Sequence, residues 1–331
     1  MQEPIIEASG LTKRFGDVQA VAGVDFDVAR GELFGFLGPN GAGKTTTINL
    51  LIGLARPDRG TIRIAGIDCS RNPKAAQHLL GVVPDESNLY PELTGFENLC
   101  FCGSLYGLGR RDREERSRAL LDRFGLADAA GRKFSGYSKG MKRKLTIAAG
   151  IIHGPQILFL DEPTTGIDVA SARQIRQLLA ELNADGTTVF LTTHYIEEAE
   201  RLCGRIAFIV GGRIVRIDDV RTLMQLAEGR HGVQVALAAG AAEMCPQIEA
   251  QFPDLECRAV SGDAIRIESP VPIQVGPLVR LLEDRGAEVY EARRISPSLE
   301  DVFVRITGIA LDEMKRDKEK KMSKLNGGSP S

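Results

Sequence analysis

The run GPNGAGKTT at 38 to 46 constrains this chain more than any other stretch of it. Gly38 to Thr45 fits the pattern G-x-x-x-x-G-K-[ST], which has physical meaning only between a strand and the first turn of a helix. Both flanks are present: ELFGFL at 32 to 37 reads as a strand, and KTTTINLLIGL reads as the helix that follows. The loop Gly38, Pro39, Asn40, Gly41, Ala42 and Gly43 is expected to turn successive backbone N–H groups around a β-phosphate. The helix N-terminus adds its positive end. Lys44 is then expected to reach the β- and γ-phosphates, Thr45 to bind Mg²⁺, and Thr46 to join the nucleotide-binding loop.

ILFLDEP at 157 to 163 supplies a second half to such a site. Four apolar residues form a buried strand, and Asp161 at its carboxyl end can hold Mg²⁺ through water. Glu162 beside it can polarise an attacking water. A further strand, TTVFLTTH, ends at His194, expected beside the same γ-phosphate. There is no N-K-x-D sequence for guanine.

Short apolar runs alternate with helical segments through residue 230, which indicates an α/β core with a mostly parallel sheet covered on both sides. Residues 91 to 150 lack convincing strands and read as a helical insertion. VDFDVARG and RIAFIVGGRIVRID alternate with period two, so an antiparallel β layer is expected beside the core. From 231 to 308 the order becomes β-α-β-β-α-β, the ferredoxin-like arrangement of a small second domain. It closes with a helix in SPSLEDVFVRIT. Residues 309 to 331 mix charges with too few apolar side chains to pack, and read as a solvated tail.

Hydrophobic residues at 43% and charged residues at 26% are those of a soluble globular chain. A net charge of −2 argues against nucleic-acid binding through a broad basic surface. No secretory signal is evident at the N-terminus, and the most apolar stretch, 145 to 160, is interrupted by His153, Gly154, Pro155 and Gln156. That interruption rules out a membrane span there. Six scattered cysteines are expected to be reduced thiols of a cytosolic chain.

One stretch is left over: YSKGMKRKL at 137 to 145, a second serine and glycine with basic residues after them. The ordered set GPNGAGKTT, YSKGMKRKL, ILFLDEP, TTGID and His194 resembles the ATP-binding cassette (ABC) family over residues 5 to about 225. The resemblance implies ATP with Mg²⁺, and hydrolysis that depends on Lys44, Glu162 and His194. It further implies that Ser138 and Gly140 bind the γ-phosphate of an ATP held by the opposite subunit, with Asp168 of TTGID at the interface. Two protomers, or this chain and a paired sister cassette, would sandwich two ATPs. Phe15, in LTKRFG, matches the aromatic residue that stacks on adenine in such cassettes.

Two departures from the family pattern stand out. Tyr137, Lys139 and Met141 replace residues of the familiar L-S-G-G-Q, and Asp85, in GVVPDES, occupies the position of the usual glutamine. Asp is shorter and acceptor-only; it is expected to bind Mg²⁺ directly or through water. A cassette followed by a ferredoxin-like segment ending in PSLEDVFVRITG looks like the ATPase subunits of ABC-2-type exporters, which act on drugs, sodium or lipids. That implies a separate polytopic permease and a place at the inner face of the cell membrane. A groove near 85 to 106, with Tyr90, Leu93, Phe96, Leu99 and Tyr106, could accept a coupling helix of the permease; the same apolar residues read equally as internal core of the helical segment, which is the expectation for any single one of them. The rival class is a soluble ABC ATPase in translation or DNA maintenance; a single cassette with a short spacing from Lys44 to Ser138 speaks against it.

Overall fold

Two long strands open the chain, β1 (Pro4–Phe15) and β2 (Val18–Ala29), followed by β3 (Leu33–Leu37), helix α1 (Lys44–Leu51), β4 (Arg59–Ile64), β5 (Ile67–Asp68) and β6 (Leu80–Val83). The computed structural model describes residues 3–226, 231–261, 263–295 and 298–309. The charged tail, expected from 309 onward, lies almost wholly outside the described residues.

After β6 come the helices α2 (Gly95–Leu105), α3 (Arg110–Arg123) and α4 (Lys139–Ile151). Thr94 starts α2 through a capping box: its hydroxyl accepts from the Glu97 N–H, and the Glu97 carboxylate accepts from the Thr94 N–H. Strand and helix then alternate through β7 (Ile157–Asp161), α5 (Val169–Ala184), β8 (Thr188–Thr193), α6 (Ile196–Leu202), β9 (Arg205–Val210), β10 (Arg213–Asp219) and the short α7 (Val220–Gln225).

Two sheets result. One runs β2-β1-β4-β5, antiparallel throughout; the other runs β10-β9-β3-β8-β7-β6, parallel except for its β10 edge. Every residue of β3, β7 and β8 is buried, as strands covered on both faces must be. Phe26 of β2 packs against Phe34, Phe36 and Phe190, with ring centroids 6.0, 5.6 and 5.9 Å away, and so joins the two sheets through one aromatic cluster. The expected role of RIAFIVGGRIVRID needs correction here. It turns at Gly211-Gly212 as a hairpin, but β9 pairs in parallel with β3, so the hairpin extends the core sheet instead of joining the β layer. The physical reason is burial: residues 206 to 209 are buried without alternation, which suits an interior strand.

The two readings of the groove residues divide among them. Leu99 is fully buried inside the helical segment, while Tyr90 and Tyr106 are exposed and Leu93 and Phe96 are half-buried. Exposed Phe101 and Leu105, which the sequence reading passed over, lie on the same helix α2.

A second compact unit spans Arg221–Arg305. Its main elements are β11 (His231–Leu237), α8 (Ala241–Gln251), β12 (Glu256–Ser261), β13 (Ala264–Ser269), α9 (Val275–Asp284), β14 (Val289–Ile295) and α10 (Leu299–Thr307). The strands form one antiparallel sheet in the order β12-β13-β11-β14. Inward positions alternate along β11 and β13, where Val233, Val235, Ile265 and Ile267 meet Ile248 of α8 and Leu278 and Leu282 of α9. The cysteine expectation is corrected in this unit: Cys245 of α8 and Cys257 of β12 form a disulfide, with Cα atoms 5.1 Å apart. The packing of α8 on β12 brings two positions together that sequence spacing alone leaves unrelated.

Candidate active site

Two glycines of the strand-to-helix turn after β3, Gly38 and Gly43, have no room for a side chain. Gly43 has φ +105, and a Cβ there would meet the Ala20 carbonyl oxygen at 2.4 Å. Its backbone immediately precedes Lys44, whose ammonium donates to the carbonyls of Gly38 at 2.7 Å and Pro39 at 3.2 Å and lies 3.4 Å from Glu162 Oε1.

Strands β7 and β8 run parallel with Asp161 beside Thr192, so their carboxyl ends deliver polar groups to the same place. The Thr45 hydroxyl donates to Asp161 Oδ2 at 2.8 Å, and the Thr192 hydroxyl donates to Asp161 Oδ1. Glu162 follows with φ +50, in the left-handed region that a non-glycine residue enters at a cost of about 1–3 kcal/mol. Its N–H donates to the Thr192 carbonyl at 3.1 Å. His194 Nδ1 donates to Glu162 Oε2 at 2.7 Å, and the Thr165 hydroxyl donates to the same oxygen at 3.0 Å. Burial by itself would push the Glu162 carboxyl up; the His194 hydrogen bond, the Lys44 charge and the Thr165 hydroxyl more than offset it and hold the group below the usual carboxylate range.

These groups line one cavity of about 450 Å³. Asn40, Gly41, Gly43, Lys44, Thr45 and Thr46 form one side, and Asp161, Glu162, Thr165 and His194 another. Asp85 and Glu86 line it as well, as do Val18 and Ala20 of β2. Phe15 does not line it; its ring is 53% exposed at the end of β1, with Lys13 Nζ 5.3 Å from the centroid. The arrangement therefore offers an amide-lined loop with a cation for phosphate, hard oxygen donors at Thr45 and Asp161, and a carboxylate–imidazole pair able to hold a water.

Ser138, Gly140 and Asp168 lie outside this lining. Ser138 is exposed and caps α4, accepting from the Met141 N–H at 3.2 Å. Asp168 caps α5 and accepts from the Ser171 N–H at 2.9 Å. The two helix starts are pressed together at Gly140, where a Cβ would stand 2.3 Å from Ser171 Oγ. Tyr137 is buried, and its hydroxyl donates to the Ala129 carbonyl at 2.7 Å.

Arg143 is a residue that motif reading missed. From inside α4 its guanidinium donates to the carbonyls of Asp161 at 2.7 Å, Glu162 at 2.6 Å, Pro163 at 2.8 Å and Asp85 at 3.2 Å, and also to that of Pro84. Burial pulls this guanidinium's pKa down, while the carboxylates of Asp85, Asp161 and Glu162 favour its charge. The available signal was spacing: Gly140, Arg143, Ile147 and Gly150 all fall on the buried face of α4, so one cation of KRK had to be internal.

A family model described as ABC transporter matches residues 21–165. The chain is 38% identical over 306 residues to the daunorubicin resistance ATP-binding protein DrrA2 of Streptomyces coeruleorubidus, covering 92% of this chain and 95% of the relative. It is also 38% identical over 319 residues to the Nod factor export ATP-binding protein I of Paraburkholderia xenovorans, covering 93% and 98%. Among solved structures, the dimeric ATP-binding cassette MJ0796 bound to ADP and Pi aligns with a TM-score of 0.61 at 27% identity, over 65% of this chain and 99% of that one. The phosphate loop, the carboxylate pair at the end of β7 and relatives matched along almost the whole length have one reading: this chain belongs to the ATP-binding subunits of ABC transporters and is an ATPase of that family.

Proposed function

We propose that the chain is the ATP-hydrolysing subunit of an exporter, acting as a pair of cassettes that close on two ATPs and drive a separate polytopic permease at the inner face of the membrane. The observation that carries this reading is a division of labour. Lys44, Asp161, Glu162 and His194 share one cavity, while exposed Ser138 and Asp168 lie outside it at two helix starts that meet at buried Gly140, and are assigned to a partner's nucleotide. Relatives named for drug resistance and Nod factor export support the export direction. No described helix is long and apolar enough to cross a membrane, so passage of cargo is assigned to the partner. Exposed Tyr90, Phe101, Leu105 and Tyr106 are apolar surface suited to it.

In the hydrolytic step Lys44 leaves the Gly38 and Pro39 carbonyls for the β- and γ-phosphates. Glu162 thereby loses a cationic neighbour and becomes a better acceptor for the proton of an attacking water. His194 keeps the carboxylate oriented through Nδ1–H. Asp161 and the Thr45 hydroxyl are hard oxygen ligands of the kind Mg²⁺ accepts alongside phosphates, and Asp85, which lines the same cavity, is assigned as a further donor. Held by these residues, Mg²⁺ would neutralise charge on the phosphate oxygens. Phe15 is assigned to the adenine ring, which its exposure leaves it free to cover. The unit from 231 to 308 is read as a ferredoxin-like accessory domain, a view that the strand order β12-β13-β11-β14 supports.

The test is affinity purification from mildly solubilised native membranes, using wild type and Glu162→Gln with ATP. A polytopic membrane protein should accompany both. The variant should hydrolyse no ATP and should persist as a nucleotide-bound dimer. Normal turnover by Glu162→Gln would refute the base assignment, and ribosomal or DNA-repair partners in place of a membrane protein would refute export.

A further inference from the structure

Two hydrogen-bonded rungs connect the backbone segments that carry Glu162 and His194. The first is the direct bond between them. The second lies further along both segments: the Thr164 hydroxyl donates to Glu198 Oε2, and Arg176 Nη1 of α5 donates to Glu198 Oε1 at 3.0 Å. Thr164 stands two residues after Glu162, and Glu198 stands four after His194, in the first turn of α6. Backbone and hydrogen bonds thus close a ring in which the second rung sets the separation of the two segments.

In this second rung Thr164 is buried and Arg176 and Glu198 are half-buried, and the rung does not belong to the nucleotide cavity. Thr164 is 5% exposed, and none of Thr164, Arg176 and Glu198 lines the site. Both oxygens of the Glu198 carboxylate are committed, one to each neighbouring element, so Glu198 fixes α6 against α5 and against the loop after β7 at once. Glu162 needs such support, because its left-handed backbone persists only where the surroundings over-determine it. The adjacent Thr165 completes the arrangement: one threonine hydroxyl of the pair holds the Glu162 carboxylate while the other holds the helix that follows His194.

We infer that Thr164, Glu198 and Arg176 form a positioning unit for the Glu162–His194 pair, setting its geometry for hydrolysis without touching ATP. The inference rests on the roles proposed above for Glu162 and His194. A unit of this kind controls kcat and leaves ATP binding alone, whereas a tie that serves stability only moves neither.

The experiment measures steady-state and single-turnover phosphate release by the full chain, with binding followed separately by a fluorescent ATP analogue. Thr164→Val should lower kcat by about tenfold or more while KM stays within about twofold, and Thr164→Ser should restore most of the rate. In a His194→Ala background Thr164→Val should cost less than about a further twofold, since no pair remains to be positioned. A Thr164→Val rate close to wild type, or a loss undiminished in the His194→Ala background, would overturn the inference. Should Thr164→Val fail to fold, Arg176→Met at its half-buried site decides the matter: a kcat loss of about threefold at constant KM supports the unit, and an unchanged kcat removes it. Wild-type turnover by Glu162→Gln or His194→Ala would instead overturn the reading on which the inference rests.

Discussion

The cassette and the second unit place their polar groups differently. Among the described residues every buried polar or charged side chain lies in the cassette except Ser269, including Lys44, Arg143, Asp161, Glu162, Thr164, Thr192 and His194. The second unit buries Val, Ile, Leu, Ala, Cys and Phe303 and leaves its ion pairs partly exposed. There Arg266 pairs with Glu268 at 2.7 Å and Asp301 at 2.6 Å, and Arg258 reaches the same two carboxylates at 3.4 and 3.7 Å. Buried polar groups are costly unless every partner is in place. A region that carries many of them in one spot is specified for chemistry; one that carries almost none is specified for packing.

That contrast breaks most visibly at Arg143. Arg143→Met strands several carbonyls around Glu162, so ATPase activity should fall by about a hundredfold, the effect of roughly an ångström of misplacement. Stability should fall by about 3 kcal/mol or more. Near-normal phosphate release by a folded Arg143→Met protein would mean that the buried network is not tied to catalysis. Leu278→Ala asks the opposite question in the second unit. It should weaken amide protection across β11 and β13 by about 2–5 kcal/mol, the cost of a buried leucine cavity, and leave ATPase activity within about twofold. A large loss of turnover would show that packing there is coupled to the active site.

The smallest effect is expected at Asp301. Burial would raise its carboxyl, but the Arg266 hydrogen bond and those from Ser298 hold it below the usual range. A depressed carboxyl contributes stability that is present above its unfolded value of about 3.9 and is lost as pH falls through the folded value. Asp301→Asn should therefore cost less than about 1 kcal/mol near neutrality, as a partly exposed pair does. The difference from wild type should close in acid. A gap that widens as pH falls would contradict the linkage.

What the sequence disclosed and what it withheld follow the same contrast. Contiguous motifs such as GPNGAGKTT and ILFLDEP announce their residues because a phosphate loop and a strand end are built from neighbours in the chain. HGVQVAL and AIRIES, within the β-α-β-β-α-β order expected from 231 onward, are the strands β11 and β13. Arg143, Thr164 and Glu198 stayed hidden because each owes its place to partners 18 or more residues away. The Cys245–Cys257 pair stayed hidden because the approach of α8 to β12 is a tertiary fact. The hairpin after Arg205 was assigned to the wrong sheet because its antiparallel turn is local, whereas the parallel pairing of β9 with β3 spans most of the cassette.

The register of β7 against β8 also determines which changes of chain length the cassette can survive. Thr192 stands opposite Asp161 and His194 reaches Glu162 only because side chains along β8 alternate between two faces. Deleting one residue between Thr188 and Thr193 would leave the composition of the strand nearly untouched. It would nevertheless turn the wrong threonine toward Asp161 and carry the imidazole to the far side of the sheet. In that strand a single lost codon does more harm than most substitutions.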